Sequence, residues 1–278
     1  MEGILSFENY QLGYSLTGRG DRPSILFLHG FMGDRRDFAP ITSRLIDHYQ
    51  CLTIDLPGHG KTQVVEEIEY GMESTAWAIV GVLDQLHISK CFLVGYSMGG
   101  RLALYLMVHF PERFMGAALE SASPGLKIEE ERKQRSQKDW QLAMELETTD
   151  FAKFLTTWYE QPLFASMKRL SDRSKISPAF ARMLERRQQN QPHELAKSLR
   201  NLGTGSQPSL WAELAKNRVS LMLLVGELDQ KFVQINQEML AHCPSVQLRV
   251  VKDCGHNVHF ENVQFFVKCL REFLLTTF

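Results

Sequence analysis

Cys91-Phe92-Leu93-Val94-Gly95-Tyr96-Ser97-Met98-Gly99-Gly100-Arg101 decides the fold. Its first four residues read as a buried strand, and Met98 to Phe110 read as a helix. Between them stands Gly-x-Ser-x-Gly, the pattern of a nucleophile elbow, where a strand turns sharply into a helix with a serine at the apex. Gly95 and Gly99 lack Cβ atoms, so strand and helix can approach closely. The Ser97 hydroxyl then stands above the sheet at a helix N-terminus, where free amides and the helix dipole favour negative charge. Such a pattern also occurs by chance in Gly-Ser turns, and its strand–turn–helix setting is what gives it weight.

The same alternation continues on both sides. Apolar runs at Ile25–Leu28, Cys51–Ile54, Met115–Leu119, Leu221–Val225 and Val246–Val251 read as strands. Amphipathic stretches near Asp37–His48, Glu73–His87, Phe232–Cys243 and Phe260–Leu275 read as helices. Mostly apolar strands alternating with helices predict a largely parallel sheet covered on both faces. Residues 5–16 alternate in polarity and predict an antiparallel edge hairpin. The alternation stops between Lys127 and Arg200, a helical stretch with fifteen Lys/Arg against eleven Asp/Glu, net +4 in a chain of net −1. Its place after the strand that follows the elbow helix suits a lid over the carboxyl ends of the strands, where open α/β sheets bind ligands. The expected architecture is an α/β-hydrolase fold with a core of residues 1–126 and 201–278 and a helical lid of residues 127–200.

Composition narrows the function classes. With 278 residues, 44% of them hydrophobic, the chain can bury a large core. Near-neutral charge gives no electrostatic footprint for nucleic acid. No apolar run reaches the length of a membrane span, and the N-terminal residues have no secretory-signal pattern. The five cysteines include no C-x-x-C pair, so free thiols in a reducing cytoplasm are expected, with no metal site and no cofactor.

An elbow serine needs a base and an orienting acid, in the order Ser, Asp or Glu, His for this fold. Asp229 follows the run Leu221–Val225, with Glu227 as competitor; His256 follows Val246–Val251, with His259 as rival. The triad is therefore read as Ser97, Asp229 and His256. His29-Gly30-Phe31 follows the first apolar strand, where the second oxyanion amide of such a fold arises, so the hole is assigned to the N–H groups of Phe31 and Met98. Gly60-Lys61-Thr62 imitates the end of a phosphate loop, but Asp55 stands where the first glycine is required. Arg101 lies one helical turn after Ser97 and can share its face. A surface arginine is the plain reading; a planar cation holding a substrate carboxylate is the functional one.

Gly95-Tyr96-Ser97-Met98-Gly99-Gly100-Arg101, Ser123-Pro124-Gly125-Leu126, Trp158-Tyr159-Glu160-Gln161-Pro162-Leu163-Phe164, Gly205-Ser206-Gln207-Pro208-Ser209-Leu210 and the segment Gly226–Phe232 resemble the 2-succinyl-6-hydroxy-2,4-cyclohexadiene-1-carboxylate synthases of menaquinone and phylloquinone biosynthesis. The elbow through Gly100 is shared by many hydrolases; Arg101 and the Trp158–Phe164 segment are more specific. The resemblance implies a lyase that removes a proton and expels pyruvate from a polycarboxylate small molecule. By matching position it implies that Tyr96, Arg101, Trp158, Arg187 (or Arg186) and Arg135 (or Arg132) contact substrate. A carboxylester or carbon–carbon-bond hydrolase with the same triad, and a non-catalytic receptor, are the competing classes.

Overall fold

Residues 24–28, 91–96 and 114–120 are buried along almost their whole length, as expected of strands covered on both faces, and they form the centre of the sheet. The computed structural model describes residues 1–169, 177–243 and 245–277. Its strands are β1 (Glu2–Phe7), β2 (Tyr10–Thr17), β3 (Ser24–Leu28), β4 (Gln50–Ile54), β5 (Gln63–Val64), β6 (Cys91–Tyr96), β7 (Phe114–Glu120), β8 (Ser220–Gly226) and β9 (Val246–Val251). They lie in the order β1-β2-β4-β3-β6-β7-β8-β9, with β5 against β2. From β4 to β9 all pairings are parallel; β1, β2 and β5 are antiparallel.

Two apolar clusters cover the two faces. One gathers β2, β3 and β6 with the helices Met72–Gln85 and Met98–His109; the other gathers β3, β6 and β8 with the C-terminal helix Val263–Thr276. A third, smaller cluster holds the helical segment together. Phe154, Leu155, Tyr159, Phe164, Phe180, Met183 and Leu195 pack on one another and on Met32 of the core. This segment contains the helices Glu129–Thr148, Phe151–Glu160, Pro178–Arg187 and Pro192–Leu202. Residues 170–176 of the expected lid lie outside the described residues.

Two local expectations differ from the structure, and one strand carried no expectation. The stretch 37–48 forms only a 3-10 turn, Arg35–Phe38, and one helical turn, Ala39–Thr42, because Asp34 caps the first and Pro40 opens the second. The last helix is broken at Asn262, which ends the turn Val258–Glu261 and whose side chain accepts the Phe265 N–H at 3.1 Å, capping Val263–Thr276. The short strand β5 has too few residues to carry a period.

Candidate active site

The site forms at the carboxyl ends of β3, β6, β7, β8 and β9. At the end of β6, Ser97 has φ 49° and ψ −108°, a strained conformation for a residue with a Cβ. Gly95 and Gly99 let strand and helix close tightly around that apex. A Cβ on Gly95 would stand 2.7 Å from the Gly100 Cα, and one on Gly99 would strike the Leu28 carbonyl. The Ser97 N–H donates to the Glu120 carbonyl at 2.9 Å, which locks the apex to β7.

His256 lies between β9 and the turn Val258–Glu261. Its Nε2 is 3.0 Å from Ser97 Oγ and its Nδ1 is 2.6 Å from Asp229 Oδ2. His256 and Asp229 are both buried. Asp229 also caps the helix Gln230–His242, accepting the Phe232 N–H at 3.4 Å. Glu227 is exposed, and its carboxylate accepts the Asp253 N–H at 3.4 Å. His259 points elsewhere: its Nδ1 lies 2.6 Å from Glu120 Oε2, and its own N–H donates to Glu120 Oε1 at 2.9 Å. Of the competing acids and histidines, the geometry brings Asp229 and His256 to Ser97.

A further carboxylate holds the loop that carries His256. Glu261 accepts the Gly255 N–H at 3.0 Å and the Asn257 N–H at 3.4 Å, so it brackets the peptide on both sides of His256. Burial raises the carboxyl of Glu261 above its ordinary value.

Phe31 and Met98 both border the cavity beside Ser97. Two buried histidines shape the loop that carries Phe31. His29 accepts the Leu56 N–H on Nε2 at 2.9 Å, so its Nδ1 carries the proton and donates to the Gly30 carbonyl at 2.8 Å. His59 likewise accepts the Met32 N–H on Nε2 at 3.1 Å and donates from Nδ1 to the Pro57 carbonyl at 2.9 Å. Burial, reinforced by nearby His29, pushes His59 well below the ordinary histidine range, so it is a neutral strut.

Above these strand ends lies a cavity of about 670 Å³, roofed by the helical segment. Tyr96, Trp158, Arg101, Arg135 and Arg187 all line it, whereas Arg132 and Arg186 do not. Trp158 meets Phe31 edge-on with ring centroids 5.4 Å apart, joining segment and core. Cations dominate the lining: three arginines with Lys127 and Lys231, against Glu131 and Glu238.

The arginines are held differently. Arg187 makes a bidentate pair with Asp37 at 2.7 and 2.8 Å and donates from Nε to Tyr159 Oη at 3.2 Å. Burial alone would lower Arg187, and the Asp37 carboxylate more than reverses that, raising it well above the usual arginine value. Arg135 donates from Nε to Asp139 at 2.8 Å and remains partly exposed. Arg101 is buried, and its hydrogen-bond acceptors among the described residues are neutral. They are the Leu202 carbonyl at 2.7 Å, the Gly203 carbonyl at 3.2 Å and Gln207 Oε1 at 3.3 Å. Burial lowers it, with nearby Arg135 contributing and Asp139 opposing, to about 10, so it stays charged at neutral pH. Among the described residues it has no acidic partner at ion-pair distance.

A family model for the alpha/beta hydrolase fold matches residues 23–263. A Bacillus subtilis (strain 168) protein named putative 2-succinyl-6-hydroxy-2,4-cyclohexadiene-1-carboxylate synthase is 36% identical over 264 residues, covering 94% of each chain. The synthase of that name from Serratia proteamaculans (strain 568) is 32% identical over 93% of this chain and 95% of its own. The structure of MenH from S. aureus superposes with a TM-score of 0.88 at 32% identity, covering 95% of this chain and 98% of that one. This chain belongs to the 2-succinyl-6-hydroxy-2,4-cyclohexadiene-1-carboxylate synthase family. An enol-lactonase from Burkholderia xenovorans LB400, at TM-score 0.82 and 19% identity, shares the fold alone.

Within this synthase-family site, sequence reasoning missed Glu120, Glu261, Asp37 and Gln207. Glu261 alone carried a local signal, five residues after the proposed base. The others act across 139, 150 and 106 residues respectively, beyond any periodicity.

Proposed function

We propose that the protein converts 2-succinyl-5-enolpyruvyl-6-hydroxy-3-cyclohexene-1-carboxylate into 2-succinyl-6-hydroxy-2,4-cyclohexadiene-1-carboxylate by eliminating pyruvate. One observation carries this reading: a buried arginine that has no acidic partner at ion-pair distance among the described residues lines the cavity that holds Ser97 and His256. A neutral ester would leave that charge buried and unmatched, a costly arrangement, whereas a polycarboxylate matches it.

His256, oriented by Asp229, takes the proton of the Ser97 hydroxyl, and the alkoxide removes the proton from the ring carbon beside the succinyl carbonyl. The electron pair moves into the ring, the existing double bond shifts, and the carbon–oxygen bond to the enolpyruvyl group breaks. Pyruvate leaves as its enol form and regains a proton on carbon. Negative charge develops on the succinyl carbonyl oxygen, where the amides of Phe31 and Met98 serve as the oxyanion hole, each such donor contributing about 3 kcal/mol. Arg101 takes one substrate carboxylate as a planar fork. Tyr96 and Trp158 pack on the ring; Arg135 and Arg187 line the cavity as further carboxylate contacts.

Residues 127–200 act as a lid. No water is consumed, so a roof that excludes solvent favours the reaction. Five free, buried cysteines suit a reducing cytoplasm, and no helix among the described residues is long and apolar enough to cross a membrane. The test is to incubate purified protein with the cyclohexene substrate and follow pyruvate. Pyruvate release that is lost in Ser97→Ala is expected; hydrolysis of aryl esters without pyruvate release would replace this reading with an ester hydrolase.

A further inference from the structure

Arg101 and Arg187 border the same cavity, yet of the two only Arg187 has a carboxylate at ion-pair distance among the described residues. The difference lies in what surrounds each guanidinium. Arg187 faces Asp37. Arg101 faces two main-chain carbonyls at the C-terminal end of helix Pro192–Leu202 and the side chain of Gln207. Carbonyls at a helix C-terminus carry partial negative charge and hold a cation without cancelling it. Gln207 is 1% exposed, and its amide orientation is set from both sides. Its Nε2 donates to the Ser123 carbonyl at 3.0 Å, which leaves Oε1 to accept from Arg101 Nη1. A glutamate has the same size and reach, so position 207 could have neutralised Arg101 and does not.

We propose that Gln207 is a positioning residue that sets specificity for polyanionic substrates, because it holds Arg101 with an uncharged oxygen and leaves the guanidinium charge for a substrate carboxylate. This rests on the carboxylate role given to Arg101 above. The cradle aims the fork without satisfying its charge. A buried cation whose direct partners are dipoles, with the nearby Asp139 carboxylate already paired to Arg135, attracts an anion more strongly than one paired itself, since pairing spends the Coulomb interaction internally. Arg187 illustrates the paired alternative within the same wall.

The decisive variant is Gln207→Glu, with steady-state pyruvate release and thermal unfolding measured side by side. The internal carboxylate competes with the substrate's. KM is expected to rise about tenfold or more, the loss of one charge-assisted pair, while kcat changes less than about threefold; Tm falls, because the new carboxylate faces the Ser123 carbonyl that Gln207 Nε2 served. A purely structural role would instead lower kcat along with Tm and leave KM near wild type. Gln207→Met removes the acceptor without adding charge and is expected to raise KM by only a few-fold. If Gln207→Glu does not fold, Gln207→Met decides alone: a KM rise of about tenfold or more would place the effect in the hydrogen bond and overturn the proposal. Wild-type KM in a folded Gln207→Glu would overturn it too. Succinate, a simple dicarboxylate probe, separates this inference from the proposed reaction. If wild-type protein released no pyruvate, the reaction assignment would fall. Succinate should still raise the Tm of wild type and not of Gln207→Glu, and equal stabilisation of both would sink the cradle.

Discussion

Tyr96 divides two regions that look alike on paper. On its cavity side His256 pairs with Asp229 at 2.6 Å; on its core side His259 pairs with Glu120 at the same 2.6 Å. The Tyr96 ring lies 5.5 Å from one imidazole and 4.9 Å from the other. All four polar side chains are buried. What separates the pairs is the remaining environment. His256 offers its second nitrogen to Ser97 Oγ at the cavity. The ring of His259 is stacked on Phe38 at 4.6 Å and edged by Phe266. A buried histidine–acid pair is thus a structural bolt or a proton relay depending on whether a reacting group reaches the far nitrogen.

The largest expected effect falls on the cavity side. Ser97→Ala, His256→Ala and Asp229→Asn should each lower kcat by about 10²-fold or more, and their losses should not add, because the three act as one unit. Near-normal pyruvate release by His256→Ala would erase the distinction between the two pairs.

Next comes the carboxylate contact. Arg101→Lys keeps the charge but loses the fork, and kcat/KM should fall about ten- to a hundred-fold, as for one charge-assisted pair. Wild-type kinetics for Arg101→Ala would remove this side chain from binding.

On the core side the response should be one of stability. His259→Ala leaves the Glu120 carboxylate buried without its imidazole and should cost about 3 kcal/mol or more, seen as a lower denaturation midpoint. Its kcat should stay within about tenfold of wild type. A kcat loss as deep as that of His256→Ala, without loss of stability, would give His259 a chemical role.

A smaller effect concerns the neutral histidine without an acid. Burial lowers His59 in the folded protein, so below its unfolded value of about 6.5 the unfolded chain binds the extra proton. Its contribution is complete above about pH 6.5 and is lost as pH falls below that, by up to about 1.4 kcal/mol per pH unit. Tm measured between pH 5 and pH 7 should slope less in His59→Gln. Parallel slopes would show that His59 is not what acid attacks.

These contrasts also mark how far the sequence could be read. Gly95 to Gly100 revealed the elbow because the backbone there needs glycine, a local requirement. Asp229 and His256 were legible because each follows an apolar run, and strand ends are where an open sheet gathers its chemistry. The partner that distinguishes Arg101 from Arg187 was not legible. Arg187 finds Asp37 from 150 residues away, and Arg101 meets the neutral oxygen of Gln207 from 106 residues away. Nor could spacing separate His259 from His256, since both lie in one short segment and only the approach of β7 assigns Glu120 to the first.

The central claim is that Ser97 acts as a base and not as a nucleophile. Rapid-quench mass spectrometry of the intact protein during turnover tests it most directly. The account predicts pyruvate release with the protein mass unchanged at every time point. A substrate-derived adduct on Ser97, forming and decaying as fast as turnover, would contradict it.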